Sequence, residues 1–210
     1  MKKEIFEEKI YERITPVESG DVVVDFGASI GPFVRTILAK NPSEVYTFEP
    51  CDEEYQLLIK NINDKKVIHL NYGVSDENSD NVTNTNLFSF KEDKQVTMKT
   101  MTFQKFINDF NIKKIDFLKT DCEGGEYSIF TDENFDWIKN NVKKIAGEWH
   151  LNTYFDPQAK ERFRKFRDTY LSKMPNHQIH SVDGVDIKWD LWNDHFIDYY
   201  NEVIIYIDNR

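Results

Sequence analysis

The stretch DVVVDFGASIGPF, residues 21–33, decides the fold. Its first half, DVVVDF, is short, β-branched and apolar, the pattern of a strand buried on both faces. Gly27 and Gly31 then bracket a tight turn, and glycines there let backbone amides come close to a ligand. PFVRTILAK follows, with Pro32 at the first helical position, where a missing N–H is harmless. A buried strand that passes through a glycine turn into a helix is the opening of a βαβ unit.

The alternation continues outward from that point. EVYTFEP (44–50) reads as a second strand, and CDEEYQLLIKNI (51–62) as a helix capped by Asp52, with Tyr55, Leu58, Ile59 and Ile62 on one face. KVIHL (66–70) is a third strand, and the polar residues 73–95 read as loop or edge strands. Thr102 caps a helix carrying Phe103, Phe106, Ile107 and Phe110. IDFLKT (115–120) is a fourth strand, followed by short helices in EGGEYSIF and ENFDWIKNN, and KKIAGEWH (143–150) is a fifth. Asp156 and Pro157 start a helix with Phe163, Phe166, Tyr170 and Met174 on its inner stripe. The tail offers HQIHSV, an Asp183-Gly184 turn, VDIKW, an aromatic segment and a last strand, EVIIYI. At the other end, Phe6, Ile10 and Ile14 at helical spacing predict a helix within residues 1–20.

Strands separated by helices give a mostly parallel sheet covered on both faces. The expected fold is therefore α/β, a Rossmann-like three-layer αβα sandwich with an antiparallel strand at one edge. Residues 1–210 form a single domain, with 151–202 as a substrate-side helix and aromatic segment. On such sheets ligands lie beyond the carboxyl ends of the strands, at the switch point.

Composition narrows the function. The 210 residues are 40% hydrophobic, with 16 Phe, 10 Tyr and 4 Trp, so disorder is excluded. The net charge of −10 speaks against nucleic acid as a partner. Apolar runs are as short as Val203–Ile207, and MKKEIFEEKI puts charge where a signal peptide needs an apolar run. No membrane partner and a cytoplasmic location are expected. Two cysteines, Cys51 and Cys122, make neither a disulfide framework nor a zinc spacing.

Several readings compete for the first turn. A nicotinamide fingerprint needs a middle glycine that is absent. Gly27-Ala28-Ser29-Ile30-Gly31 fits G-x-S-x-G, but the upstream loop that would complete an oxyanion hole does not exist. A tight turn with no ligand is the plain alternative. The pattern D-x-G-A-x-x-G, from Asp25 to Gly31, matches the turn that holds a sulfonium cofactor, with Asp25 orienting it and touching the methionyl part. Glu49 ends the second strand, where an acidic side chain takes both ribose hydroxyls of an adenosine. An ordinary surface glutamate is its bland counterpart.

The ordered set VVDFGASIGPF, VYTFEP, LNYGVSD, MKTMTFQKFI and, above all, IDFLKTDCEGGEYSIF resembles the FkbM family of S-adenosylmethionine-dependent class I methyltransferases. The last segment is close to a strand followed by D-x-E-G-x-E. The resemblance covers roughly residues 20–150. It implies S-adenosylmethionine as cofactor, held by Asp25, Gly27, Ala28, Ser29 and Gly31, by Glu49 and Pro50 at the ribose, and by Tyr72, Gly73 and Val74 at the adenine. Asp121 would border cofactor and substrate. Ser29 stands where Asn is usual, and Cys122 and Gly125 where small apolar residues are commoner. A saccharide or glycosylated small molecule is the implied acceptor, O-methylated at a hydroxyl.

Methyl transfer to a hydroxyl needs in-line positioning and a general base. Asp121, Glu123 and Glu126 follow the fourth strand, and Glu148 and His150 end the fifth. His150 is the expected base because its ordinary pKa lies near neutrality, with Glu148 and Asp121 beside it. Glu126 is read as stabilising the helix start. Asp121, Glu148 and His150 are chemically able to hold a divalent metal, although no metal is predicted. Trp192, Phe196 and Tyr199 are expected to pack, and the basic run Lys160, Arg162, Arg164, Lys165 and Arg167 to face solvent. A homodimer is compatible with the sequence. The rival functions are an NAD-dependent oxidoreductase and a non-catalytic adenosine-binding module.

Overall fold

The computed structural model describes residues 5, 9–84, 96–154 and 156–210. Its main sheet has seven strands in the order β3-β2-β1-β7-β8-β10-β9. These are β1 (Val22–Phe26), β2 (Glu44–Phe48), β3 (Val67–Leu70), β7 (Ile115–Thr120), β8 (Val142–His150), β9 (His177–His180) and β10 (Glu202–Asp208). All pairings from β3 to β8 are parallel, while β10 runs antiparallel to both β8 and β9. The antiparallel pairing expected at one edge is present, with β10 inserted one place in from the edge strand β9.

Side chains that alternate along the strands build two cores. Val23, Val45, Phe117, Ala146 and Ile204 face one side, with Phe33, Val34 and Ile37 of α1 (Pro32–Leu38) and Leu58 of α2 (Asp52–Asn61). Val24, Tyr46, Leu118, Ile145 and Ile205 face the other. There they meet α3 (Phe103–Asp109), α4 (Glu126–Ile129), α5 (Asp132–Asn141) and α6 (Ala159–Thr169). Two short helices, α7 (Lys188–Leu191) and α8 (Asp194–Ile197), precede β10. The result is the three-layer α/β sandwich with the mostly parallel sheet. Each Val, Ile or Phe buried this way contributes about 1.5–3 kcal/mol.

Several local expectations are corrected. Thr102 caps α3 as predicted, its side chain accepting from the Lys105 N–H. Cys51, not Asp52, occupies the cap of α2; Asp52 lies within the first turn, where its charge still favours the helix dipole. Asp156 forms a turn onto the Gln158 N–H, and α6 starts only at Ala159. In the amino-terminal segment, Lys9 takes a left-handed backbone and Ile10–Glu12 form a 3-10 turn, so Ile10 is buried while Ile14 is not. Of the segment 1–20, residues 1–4 and 6–8 lie outside the described residues, and residues 13–20 are not helical. Of the polar segment 73–95, β4 (Gly73–Val74) and β5 (Ser79–Asn84) pair with β6 (Val96–Met101) in a small second sheet; residues 85–95 lie outside the described residues.

Candidate active site

The strand order reverses between β1 and β7, and the loops that leave their carboxyl ends touch there. Gly27 has φ +80°, and a Cβ on it would lie 1.6 Å from the Asp121 carbonyl oxygen, so only glycine fits. The Gly27 and Ala28 N–H groups donate to the Phe48 carbonyl at 3.0 and 2.9 Å, which ties the turn to the end of β2. Gly31, at φ +90°, packs against Leu58 and Ile62 of the second helix region. Gly27, Ser29 and Ile30 are the partly exposed members of the turn.

Glu49 follows β2 directly and is only 6% exposed. Its Oε2 accepts from the Ser29 N–H at 2.8 Å and its Oε1 from the Cys51 N–H at 2.9 Å. Two of about four lone-pair sites remain for a ligand. Burial pushes its carboxyl up to about 7, against the pull of the Cys51 N–H. Asn71 donates to the Glu49 carbonyl, and Gly73 packs on Pro50, so β4 lines the same corner.

Beneath the turn lies a residue whose role the sequence does not announce. Lys119, on the same face of β7 as Phe117, is buried. Its Nζ donates to the Gly27 carbonyl at 2.7 Å, pairs with Asp25 at 2.8 Å and stands 3.7 Å from Asp121. Burial works against its charge, but Asp25 and then Asp121 outweigh this and raise its pKa. Asp25 is fully buried and lifted to about 6 by that burial. Asp25 thus lies below the turn and is linked to it through Lys119. Tyr11, from the amino-terminal segment, covers Lys119 and donates to Asp121 Oδ2 at 2.6 Å.

The acceptor side gathers around His150 at the end of β8. Its Nδ1 meets Glu126 Oε1 at 3.0 Å. Glu126 is fully buried and also accepts from the Cys122 and Gly124 N–H groups, both at 2.8 Å. His150 Nε2 faces Glu123 at 3.5 Å, Glu148 at 3.7 Å and Asp121 at 3.9 Å. Glu123 reaches it because it and Gly124 adopt left-handed backbone, at φ 52° and 98°. Burial disfavours the imidazolium, yet Glu126, then Glu123 and Asp121, hold His150 well above its usual pKa. Burial likewise lifts Glu123 to about 7, and lifts Glu148 above the ordinary carboxylate range with Asp121 adding to it.

Residues 25–177 match the model of the methyltransferase FkbM domain. The chain belongs to the FkbM methyltransferase family. Among solved structures it is similar to the methyltransferase FkbM from Methylobacillus flagellatus, with a TM-score of 0.54 and 18% identity. That match covers 94% of this chain but 47% of the other, so the chain spans about half of that protein's length. An rRNA methylase from Streptococcus thermophilus matches with a TM-score of 0.51 at 8% identity, covering 91% of this chain and 88% of that one. Aeropyrum pernix fibrillarin, with S-adenosyl-L-methionine bound, gives 0.50 at 8% identity over 92% and 70% of the two chains. At these identities the structures attest the fold. No curated protein matches the sequence.

This FkbM domain is thus an S-adenosylmethionine-dependent methyltransferase of class I fold. The residues present fit that cofactor: a glycine turn at the switch point, and beside it a nearly buried glutamate with acceptor capacity to spare. Asp121, Glu148 and His150 do come together, as the sequence reading requires. Four carboxylates crowd His150, and against the effect of burial they raise its pKa above the ordinary imidazole value. Glu126 does more than favour the helix start, since it anchors the imidazole as well. Arg167 leaves the solvated basic face, being buried against Asp194, the Leu191 carbonyl and Trp192. The aromatic segment packs through Leu191 and Ile197, whereas Trp189, Phe196 and Tyr199 are exposed. No helix among the described residues is long and apolar enough to cross a membrane.

Proposed function

We propose that this FkbM methyltransferase methylates a hydroxyl oxygen on a saccharide or glycosylated small molecule. The observation that supports the reading is the Glu126–His150 pair, with Nε2 turned into Asp121, Glu123 and Glu148 beside the Gly27 turn. A hydroxyl, whose pKa lies far above neutrality, needs such a proton-accepting group.

In this reading Gly27, Ala28, Ser29, Gly31, Glu49, Pro50, Tyr72, Gly73 and Val74 hold the nucleoside, with Asp25 and Lys119 fixing the turn from below. S-adenosylmethionine supplies the methyl group, its carbon–sulfur bond breaking as the acceptor oxygen forms a carbon–oxygen bond. His150 Nε2, with Asp121 and Glu148 beside it, receives the one proton lost by that oxygen. Glu126 keeps the imidazole in place through Nδ1. The proposal includes action in the cytosol on a small-molecule or glycan acceptor, without nucleic acid or membrane, by a chain for which a homodimer is the oligomer considered. The sugar acceptor rests on the family resemblance, and the acidic surroundings of the site disfavour a phosphate backbone.

Transfer of label from methyl-tritiated S-adenosylmethionine tests this, using a panel of methyl glycosides and glycosylated small molecules beside an rRNA fragment. Label is expected in a saccharide and absent from RNA. His150→Ala should lower kcat about 100-fold or more while S-adenosylhomocysteine affinity stays nearly unchanged. Label confined to RNA would remove the saccharide reading. Equal losses of turnover and affinity would reassign the base. Binding without transfer across the panel would favour an adenosine-binding module.

A further inference from the structure

We propose that Asp121, Glu123 and His150 bind one divalent cation of the manganese, iron or zinc class, with Glu148 flanking the site. One ligand atom from each of the three residues lies within 4.8 Å of the other two. The separations from His150 Nε2 to the carboxylate oxygens are 3.5 Å for Glu123, 3.7 Å for Glu148 and 3.9 Å for Asp121. These exceed good hydrogen-bonding distance. They lie between the separations of ligands on one metal, where bonds of about 2.1 Å put neighbouring atoms about 3.0–3.4 Å apart and opposite ones about 4.2 Å apart, so small side-chain shifts would close the group on an ion.

The orientation of the imidazole is an independent observation, and it distinguishes this group from a set of carboxylates alone. Nδ1 is committed to Glu126, itself fixed by the Cys122 and Gly124 N–H groups deep in the fold. A metal-ligating histidine is held in this way, its far nitrogen bound to a carboxylate that sets tautomer and direction. No hydrogen bond among the described residues uses Nε2, so the nitrogen presented to the cluster is free to ligate. The side chains of Asp121, Glu123 and His150 are 27%, 34% and 17% exposed, which leaves a path for an ion from solvent. One imidazole among carboxylates suits a transition ion better than magnesium or calcium, which prefer oxygen alone.

The value of such an ion for catalysis rests on the methyl-transfer reading above: on the acceptor side it would draw a hydroxyl oxygen and ease its deprotonation, and with Nε2 of His150 then a ligand the proton would pass to Glu148 beside it. Ion binding itself does not depend on that reading. The test is titration of the chelator-treated full chain with Mn2+, followed by calorimetry and electron paramagnetic resonance, with Zn2+ and Mg2+ as competitors. One Mn2+ per chain is expected, with nitrogen coupling from a single imidazole, and with Zn2+ displacing it far better than Mg2+ does. Glu123→Gln and His150→Gln should each weaken Mn2+ at least about 10-fold. S-adenosylhomocysteine affinity and circular dichroism should be unchanged in both variants, separating loss of a ligand from loss of the fold or of the cofactor site. Lack of saturable binding of Mn2+ and Zn2+ at millimolar ion, or binding that survives His150→Gln, would overturn the proposal.

Discussion

Glu49 sits with both carboxyl oxygens on backbone N–H groups and with its proton affinity raised to about 7. A ribose that donates its hydroxyls to this carboxylate prefers the ionised form. Cofactor binding should therefore release a proton, and affinity for S-adenosylhomocysteine should rise as pH climbs from 6 towards 8. Calorimetry in two buffers of different ionisation enthalpy reads this directly; proton uptake would refute it. Glu49→Gln should weaken binding about 10–100-fold, as loss of a hydrogen bond to a charged group implies. Stability should run the other way. Glu49 at about 7 and Asp25 at about 6 both lie above their unfolded values of about 4. Their contribution is complete below about pH 4 and is lost as pH rises towards 7, so the thermal midpoint of the free protein should fall over that window. The positions of Gly27 and Glu49 are legible in the sequence because glycine at a turn and an acid at a strand end each leave a local mark. The contacts of Tyr11 and Glu126 are not. Tyr11 meets Asp121 across 110 positions, and Glu126 meets His150 across 24, so no spacing in the chain reveals either contact.

At the scale of the element, β7 shows where alternation stops being informative. IDFLKT is recognisable as a buried strand, but pattern alone cannot say that Lys119 turns inward onto Asp25 and the Gly27 carbonyl. Removing one partner of a buried pair leaves the other charge uncompensated. Lys119→Met should cost about 3–5 kcal/mol in urea unfolding, and adding Asp25→Asn should recover part of that. A loss well under about 1 kcal/mol, or strictly additive losses, would mean that the pair does not hold the turn. The same limit explains the aromatic segment. Trp192, Phe196 and Tyr199 suggest one apolar stripe, yet the chain breaks into two four-residue helices there, and Leu191 and Ile197 take the buried places. Short helices lack the length over which a 3.6-residue period can be read.

The whole molecule was readable as an αβα sandwich because its alternation of strand and helix extends over most of its length. The insertion of β10 between β8 and β9 was not, since sheet order follows from packing that no local pattern encodes. Net charge also acts at this scale. With 37 acidic and 27 basic residues, the chain should not hold an RNA duplex at about 0.15 M salt, even though an rRNA methylase shares its fold. Fluorescence anisotropy with a labelled rRNA hairpin measures this, and micromolar binding would contradict it. Beneath these predictions lies the assignment of the loops at the carboxyl ends of β1, β2 and β7 to a sulfonium nucleoside. Calorimetric titration of the full chain with S-adenosylhomocysteine, repeated on Glu49→Ala, tests it most directly. One saturable site per chain is expected, severely weakened by the substitution; no heat at millimolar ligand, or tight binding of NADH in its place, would overturn the assignment.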